Sequence, residues 1–177
     1  MIRFALVFLV LVGVLFWLNV LVPVQQNVIL PFTSGLAWVC TSLIHLFDAN
    51  VTTVGKVISA PSGWAVSIEA GCNGVEAVLI LAAAIFAFPA PWKHRLVGFG
   101  LGFLAIQGLN VVRIISLFYI GLWERNACVP GAECHTVWFE WFHLYLWQAL
   151  IILDALVVWL IWLRYLPRPA ARRVVAV

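Results

Sequence analysis

Three side chains whose chemistry suits acyl transfer stand in parts of the sequence that are mostly apolar. Cys72 lies in a Gly-Cys-Asn-Gly tetrapeptide where a polar segment gives way to an apolar run, Arg113 lies inside a second apolar run, and His143 opens a third. A thiolate is a nucleophile, an imidazole exchanges protons near neutral pH, and a guanidinium keeps its charge. The three groups together could form a thioester and stabilise its oxyanion.

Each of these residues also has a simpler interpretation. A free cysteine is more often a small buried apolar residue than a nucleophile. An arginine in an apolar run can extend to the lipid headgroups or pair with a carboxylate, and a histidine beside aromatic residues can hydrogen-bond at the headgroups. His45 and His135 are alternatives to His143 in any catalytic role.

The remaining polar candidates suggest structural roles. Cys128 and Cys134 flank a short turn and could form a structural disulfide in an oxidising compartment. The alternative function is that of a membrane thiol-disulfide redox protein, in which these two cysteines would be the redox pair. Asp154 lies about three helical turns after His143, and we expect it to hydrogen-bond a polar neighbour such as Gln107. The cysteine and histidine spacing does not indicate zinc, and nothing in the sequence points to a cofactor.

The composition determines the class of protein that must position these groups. The chain has 177 residues, of which 65% are hydrophobic and 10% charged. A folded soluble domain of this size still exposes to water roughly a third of the surface of its unfolded chain. With so many hydrophobic residues, much of that exposed surface would be apolar, so the bilayer must be the solvent. We therefore predict a single all-α polytopic membrane domain over residues 1–177. The net charge of +3 is too small to indicate a nucleic-acid partner.

The apolar runs predict a bundle of four or five transmembrane helices. Four runs have spanning character, residues 4–22, 74–88, 96–120 and 144–163. The first is long for a signal peptide and has no cleavage site after it, so we interpret it as an uncleaved anchor. Residues 27–48 contain several polar side chains and predict an interfacial helix, with a fifth span as the alternative.

The charges and the polar segments predict the orientation. Lys93 and Arg95 follow a proline-containing turn, and Arg164 follows the last run, so the positive-inside rule places this end in the cytoplasm. Residues 50–69 then form a small extracytoplasmic cap resembling a β-hairpin, and residues 121–142 form an external loop. The cap is predicted to contain two strands around a Pro-Ser-Gly turn, residues 51–59 and 64–69.

The depth of the three candidates follows from counting along their helices. At ~1.5 Å per residue, Cys72, Arg113 and His143 lie roughly 26, 26 and 32 Å above the cytoplasmic boundary. All three therefore reach the outer membrane surface. A thiol at a helix N-terminus is expected to have a lowered pKa, and a nearby arginine would lower that pKa further.

In their order and spacing, these motifs resemble a known family. Gly71-Cys72-Asn73-Gly74, the later Asn110-Val111-Val112-Arg113 and then His143 are similar to the exosortase and archaeosortase family. The run after His143 is most similar to the short exosortase H type. The likeness extends from about residue 63 to residue 164.

The resemblance implies a membrane-embedded cysteine transpeptidase of the bacterial inner membrane, with its active site facing the extracytoplasmic side. It implies that Cys72 is the nucleophile and that Arg113 and His143 are the other catalytic residues. The expected partners are membrane lipid, a cell-surface acceptor and exported proteins that carry a C-terminal sorting signal. That signal is of the PEP-CTERM kind, with a short motif, one transmembrane helix and a basic tail.

Overall fold

The protein is a bundle of helices with one small antiparallel sheet. The computed structural model describes residues 2–128 and 136–166. Within those residues the helices are α1 (Ile2–Val20), α2 (Val22–Ile44), α3 (Val75–Ala87), α4 (Trp92–Ala127) and α5 (Val137–Arg164). Short π-helical segments interrupt α2 at Gln25–Ile29 and α5 at Phe142–Leu146.

Proline determines where two of these helices end. Leu21 has an extended backbone and Pro23 stands in the first turn of α2, which separates that helix from α1. Phe88 and Pro91 are also extended, and the peptide between them joins α3 to α4. Apolar runs that would otherwise continue are thus divided into separate helices.

Four of the helices, α1, α2, α4 and α5, are long and apolar enough to cross a membrane. This finding confirms the predicted all-α polytopic membrane fold. The predicted span at residues 74–88 is the shorter apolar helix α3. The interfacial position of residues 27–48 stays a prediction, because length and composition would also allow α2 to span.

The extramembrane segment contains three strands and not the predicted two. Strands β1 (Thr52–Val54), β2 (Val57–Ser59) and β3 (Ala65–Ser67) form an antiparallel sheet in the order β1-β2-β3. The predicted first strand is divided by a tight turn, in which Gly55 adopts a φ of +58° that other residues rarely reach.

Two groups of buried apolar residues hold the fold together. The site cluster joins α2, the sheet and the second half of α4, and includes Cys40, Ile58 and Phe118. The bundle cluster joins α3, the first half of α4 and α5, and includes Leu81 and Trp162. With 36 residues, α4 is about 54 Å long and passes through both clusters. It extends to Ala127, and α5 begins at Val137, so both helices enter the predicted loop at residues 121–142.

Candidate active site

The Gly-Cys-Asn-Gly segment forms the turn between β3 and α3. Gly71 and Gly74 adopt φ values of +82° and +73°, which favour glycine. A Cβ on Gly74 would also lie 3.0 Å from the side-chain nitrogen of Gln107. Two glycines are therefore needed to reverse the chain around Cys72 and to bring it against α4.

The structure brings Cys72, Arg113 and His143 together. The Cys72 Sγ lies 3.7 Å from the Nε2 and 3.9 Å from the Nδ1 of His143. The Arg113 Nη2 donates to the same sulfur at 3.7 Å. A thiol thus stands beside both an imidazole and a fixed positive charge, an arrangement that is chemically suited to covalent acyl transfer.

Arg113 is enclosed by protein and does not extend to the headgroups. Its side chain is 1% exposed, and its Nη1 donates to the carbonyl of Gly71 at 3.3 Å. Its Nη2 contacts the sulfur of Cys72, so the two terminal nitrogens of the planar guanidinium bind the backbone and the sulfur of the same turn. This geometry fixes the distance between the cation and the thiol.

Aromatic stacking positions the imidazole of His143. The His143 ring stacks on Phe139 with 5.7 Å between centroids and 12° between planes. Phe139 in turn makes a T-shaped contact with Trp64, whose Nε1 donates to the carbonyl of Phe118 at 3.1 Å. His143 also lies in the π-helical segment of α5, a distortion that often occurs at functional sites.

Glu124 binds the start of the helix that carries His143, a contact that the sequence did not reveal. Its two carboxylate oxygens accept the backbone N–H groups of Trp138 and Phe139, each at 2.8 Å. These N–H groups lie in the first turn of α5, where they have no partner within the helix, and a negative charge is favourable there. Glu124 therefore connects α4 to the helix that carries His143.

A second set of polar groups supports the cysteine turn. Glu76 accepts the N–H of Gly71 at 3.0 Å, and Gln107 donates to the carbonyl of Asn73 at 3.3 Å. Asn73 is buried and donates to the hydroxyl of Thr33 on α2 at 3.2 Å. Glu76 could have been found from the sequence, since an acidic residue in an apolar helix is costly and so suggests a function.

The electrostatic environment of Cys72 differs from the prediction. Burial raises the pKa of its thiol, and the cation of Arg113 opposes this effect only in part. The predicted lowering of the thiol pKa is therefore wrong, because the desolvation of a buried thiolate outweighs one neighbouring charge. Cys72 also precedes the first turn of α3, and its N–H donates to the carbonyl of Glu69 at 2.9 Å.

The three groups open into one cavity of about 260 Å³. Its walls are β3 with Trp64 and Ile68, the middle of α4 with Ile114 and Leu117, and Phe139 on α5. Most of the side chains that line the cavity are apolar, and Cys72 is half-buried in it. A site of this kind strengthens the charge interactions that a reaction would use.

Of the other candidate residues, neither His45 nor Asp154 lines this cavity. His45 contacts the carbonyl of Val51 at 2.6 Å and does not line the cavity. The expected bond between Asp154 and Gln107 is absent from the described part of the chain, where Gln107 donates to the carbonyl of Asn73. His135 and Cys134, and with Cys134 the predicted disulfide, lie outside the described residues.

Comparison with known proteins agrees with the resemblance drawn from the motifs. Residues 1–153 match the family model of the transmembrane exosortases, a segment that contains all three site residues. No curated protein and no solved structure matches the chain. The helices long enough to cross a membrane agree with an integral membrane protein. The chain therefore belongs to the transmembrane exosortase family, whose members act in general as membrane transpeptidases.

Proposed function

We propose that the protein is a membrane-embedded cysteine transpeptidase that cleaves a C-terminal sorting signal from exported proteins through an acyl-thioester on Cys72. One observation carries this proposal. The thiol lies 3.7 Å from both the imidazole of His143 and the guanidinium of Arg113, in a single cavity. Membership of the family supports a substrate of the PEP-CTERM kind, with a short motif, a transmembrane helix and a basic tail.

The first half of the reaction forms the thioester. The raised pKa of Cys72 keeps the resting thiol protonated, so attack begins when its proton passes to the Nε2 of His143. The sulfur bonds to the scissile carbonyl carbon, and the cation of Arg113 stabilises the oxyanion. The C–N bond then breaks, the leaving amine takes the proton from His143, and the acyl group stays on Cys72.

The second half releases the acyl group. An amine or hydroxyl of a cell-surface acceptor attacks the thioester carbonyl and gives its proton to His143. The C–S bond breaks, and the sulfur takes that proton back to restore the thiol. Arg113 cannot serve as the proton donor, because a guanidinium does not lose its proton at any ordinary pH. If water attacks in place of the acceptor, the same steps give hydrolysis.

We place the site at the extracytoplasmic face of the bacterial inner membrane. Lys93 and Arg95 lie at the start of α4, at the end of the helix remote from the cavity, and the positive-inside rule puts such residues in the cytoplasm. Ser62 is exposed in the turn before β3 and provides a probe for the other side. In intact cells, a membrane-impermeant maleimide should label Ser62→Cys and not Lys93→Cys. The opposite labelling would reject this orientation.

The thioester provides the direct test of the proposed function. A reporter protein that ends in a PEP-CTERM-type signal should form a hydroxylamine-sensitive adduct with the enzyme. Mass spectrometry should locate that adduct on Cys72 and identify the new C-terminus of the reporter. Cys72→Ser should abolish processing, whereas Cys40→Ala should retain it, because Cys40 does not line the cavity. Processing that survives in Cys72→Ser would refute the proposal.

Three further variants distinguish the alternatives that the sequence left open. His143→Ala should stop thioester formation and His135→Ala should not, since only His143 is proposed as the proton carrier. Joint replacement of Cys128 and Cys134 by serine should leave thioester chemistry in place. Loss of activity in that double variant, with Cys72 dispensable, would favour a redox protein.

A further inference from the structure

The cavity beside Cys72 is bounded on one side by a sheet edge. β3 pairs with β2 on one side, and no strand in residues 2–128 or 136–166 pairs with its other side. All three residues of β3 line the cavity that contains Cys72 and His143. An unpaired edge carries a row of backbone donors and acceptors that can bind another extended chain.

The strand register identifies the backbone groups at this edge. Ala60 donates its N–H to the carbonyl of Trp64 at 2.8 Å, so Trp64 and, two residues later, Val66 direct their backbone groups toward β2. The alternation of the antiparallel ladder then turns the N–H and C=O groups of Ala65 and Ser67 away from β2. Both residues are exposed and line the cavity.

An extended peptide is the ligand that fits these groups. Ala65 and Ser67 are two residues apart, which is the repeat of a strand. A helix satisfies its backbone groups internally and could not use both of them. The opposite side of the cavity, with Ile114, Leu117 and Phe139, is apolar and could receive side chains from one face of such a peptide.

We propose that the donor protein adds the segment beside its scissile bond to the free edge of β3 as a fourth strand. The backbone groups of Ala65 and Ser67 hold this strand, and its scissile carbonyl is thereby held at Cys72. The inference rests on the proposed function, because it concerns the donor of the acyl group. It adds that recognition near the cleavage point is largely through the backbone, a mode known from other peptide-binding sheets.

Substitution of Ser67 tests the enzyme side of this pairing. Ser67→Pro removes the backbone N–H that faces the cavity and leaves the bonds to β2 in place, and proline is tolerated at strand edges. Ser67→Ala is the matched control, because both variants lose the hydroxyl that donates to Glu69. Ser67→Pro should form the Cys72 thioester about tenfold more slowly than Ser67→Ala, as expected for one lost hydrogen bond. Equal rates would contradict the pairing.

Backbone changes in the donor test the same pairing without altering the enzyme. The full-length protein in detergent would receive synthetic PEP-CTERM-type peptides that include the transmembrane helix, each with one N-methylated amide near the cleavage point. Methylation should slow thioester formation about tenfold at alternate amides that pair with β3, and have little effect at the amides between them. A pattern without this period of two would overturn strand addition.

The two hypotheses fail in different ways. If the unmodified peptide gives no hydroxylamine-sensitive adduct on Cys72, the proposed function is refuted and strand addition with it. If the adduct forms normally and neither Ser67→Pro nor N-methylation gives the expected effect, only strand addition is refuted.

Discussion

Both halves of α4 pack against a cluster of buried apolar residues, but only the second half also binds its neighbours through buried charged side chains. In the first half, Gly98 and Gly102 allow Trp162 and Leu81 to approach the helix backbone, so close contact between apolar groups holds the bundle cluster. In the second half, Arg113 and Glu124 bind neighbouring segments through directed polar contacts, and both side chains are buried.

This difference separates what stabilises the fold from what arranges the site. Contacts between apolar groups tolerate changes of chemistry and are sensitive to volume. Buried polar groups are sensitive to chemistry, because a lost partner leaves a desolvated group without a bond. We therefore expect volume changes in the first half to reduce stability, and isosteric or charge-conserving changes in the second half to reduce activity.

The largest effect on activity is expected from Arg113→Lys. The guanidinium contacts the Gly71 carbonyl and the Cys72 sulfur with two different nitrogens, and an ammonium on a flexible stem cannot reproduce this fork. We expect thioester formation to fall about 100-fold or more, as for other losses of oxyanion stabilisation. Arg125→Lys is the control, since Arg125 is exposed on the same helix. Near-normal rates in Arg113→Lys would show that charge alone suffices.

The first half of α4 is tested by Gly98→Ala. The added Cβ would lie 2.1 Å from the indole nitrogen of Trp162, which donates to the carbonyl of His94 at 2.9 Å. We expect the free energy of unfolding to fall by about 2 kcal/mol, with little change in activity per folded molecule. Gly100→Ala is the matched control, because its Cβ would have no neighbour within 4 Å. Thermal unfolding in detergent measures the stability of both variants, and equal unfolding midpoints would contradict the close contact between Trp162 and Gly98.

Glu124→Gln tests whether a distant carboxylate positions the imidazole. The amide keeps one acceptor oxygen and loses the charge that favours the first turn of α5. Thioester formation should fall about fivefold to tenfold, matching a loss of roughly 1 kcal/mol. The control is Glu140→Gln, which changes an exposed carboxylate in the same turn. If both variants behave alike, Glu124 contributes no more than surface charge.

The smallest effect should appear in the reactivity of the thiol itself. Because burial raises the pKa of Cys72, its alkylation by iodoacetamide should increase only at a pH above that typical of free cysteines. The cation of Arg113 lowers this pKa, so Arg113→Gln should move the profile to higher pH and slow alkylation a few-fold at neutral pH. Mass spectrometry of the Cys72 peptide measures the rate. An unchanged profile would mean that the charge does not act on the sulfur.

Much of the fold could be predicted from the sequence alone. Runs of apolar residues determine which segments form membrane helices, because each buried residue adds its own favourable transfer free energy. Counting residues also predicts that Arg113 lies far from the start of α4, since the rise per residue of a helix is constant. The glycines beside Cys72 also indicate a turn without reference to any other part of the chain.

Only the tertiary structure decides which groups meet. The contact between Cys72 and His143 joins residues 71 positions apart, and the contact of Phe139 with Trp64 depends on how α5 is rotated. The hydrogen bonds that Glu124 accepts from the first turn of α5 also join segments distant in sequence. The raised pKa of Cys72 likewise depends on the segments that bury its thiol. Hydropathy and helical rise act locally, whereas rotation, desolvation and hydrogen bonding depend on every neighbour that packs around a group.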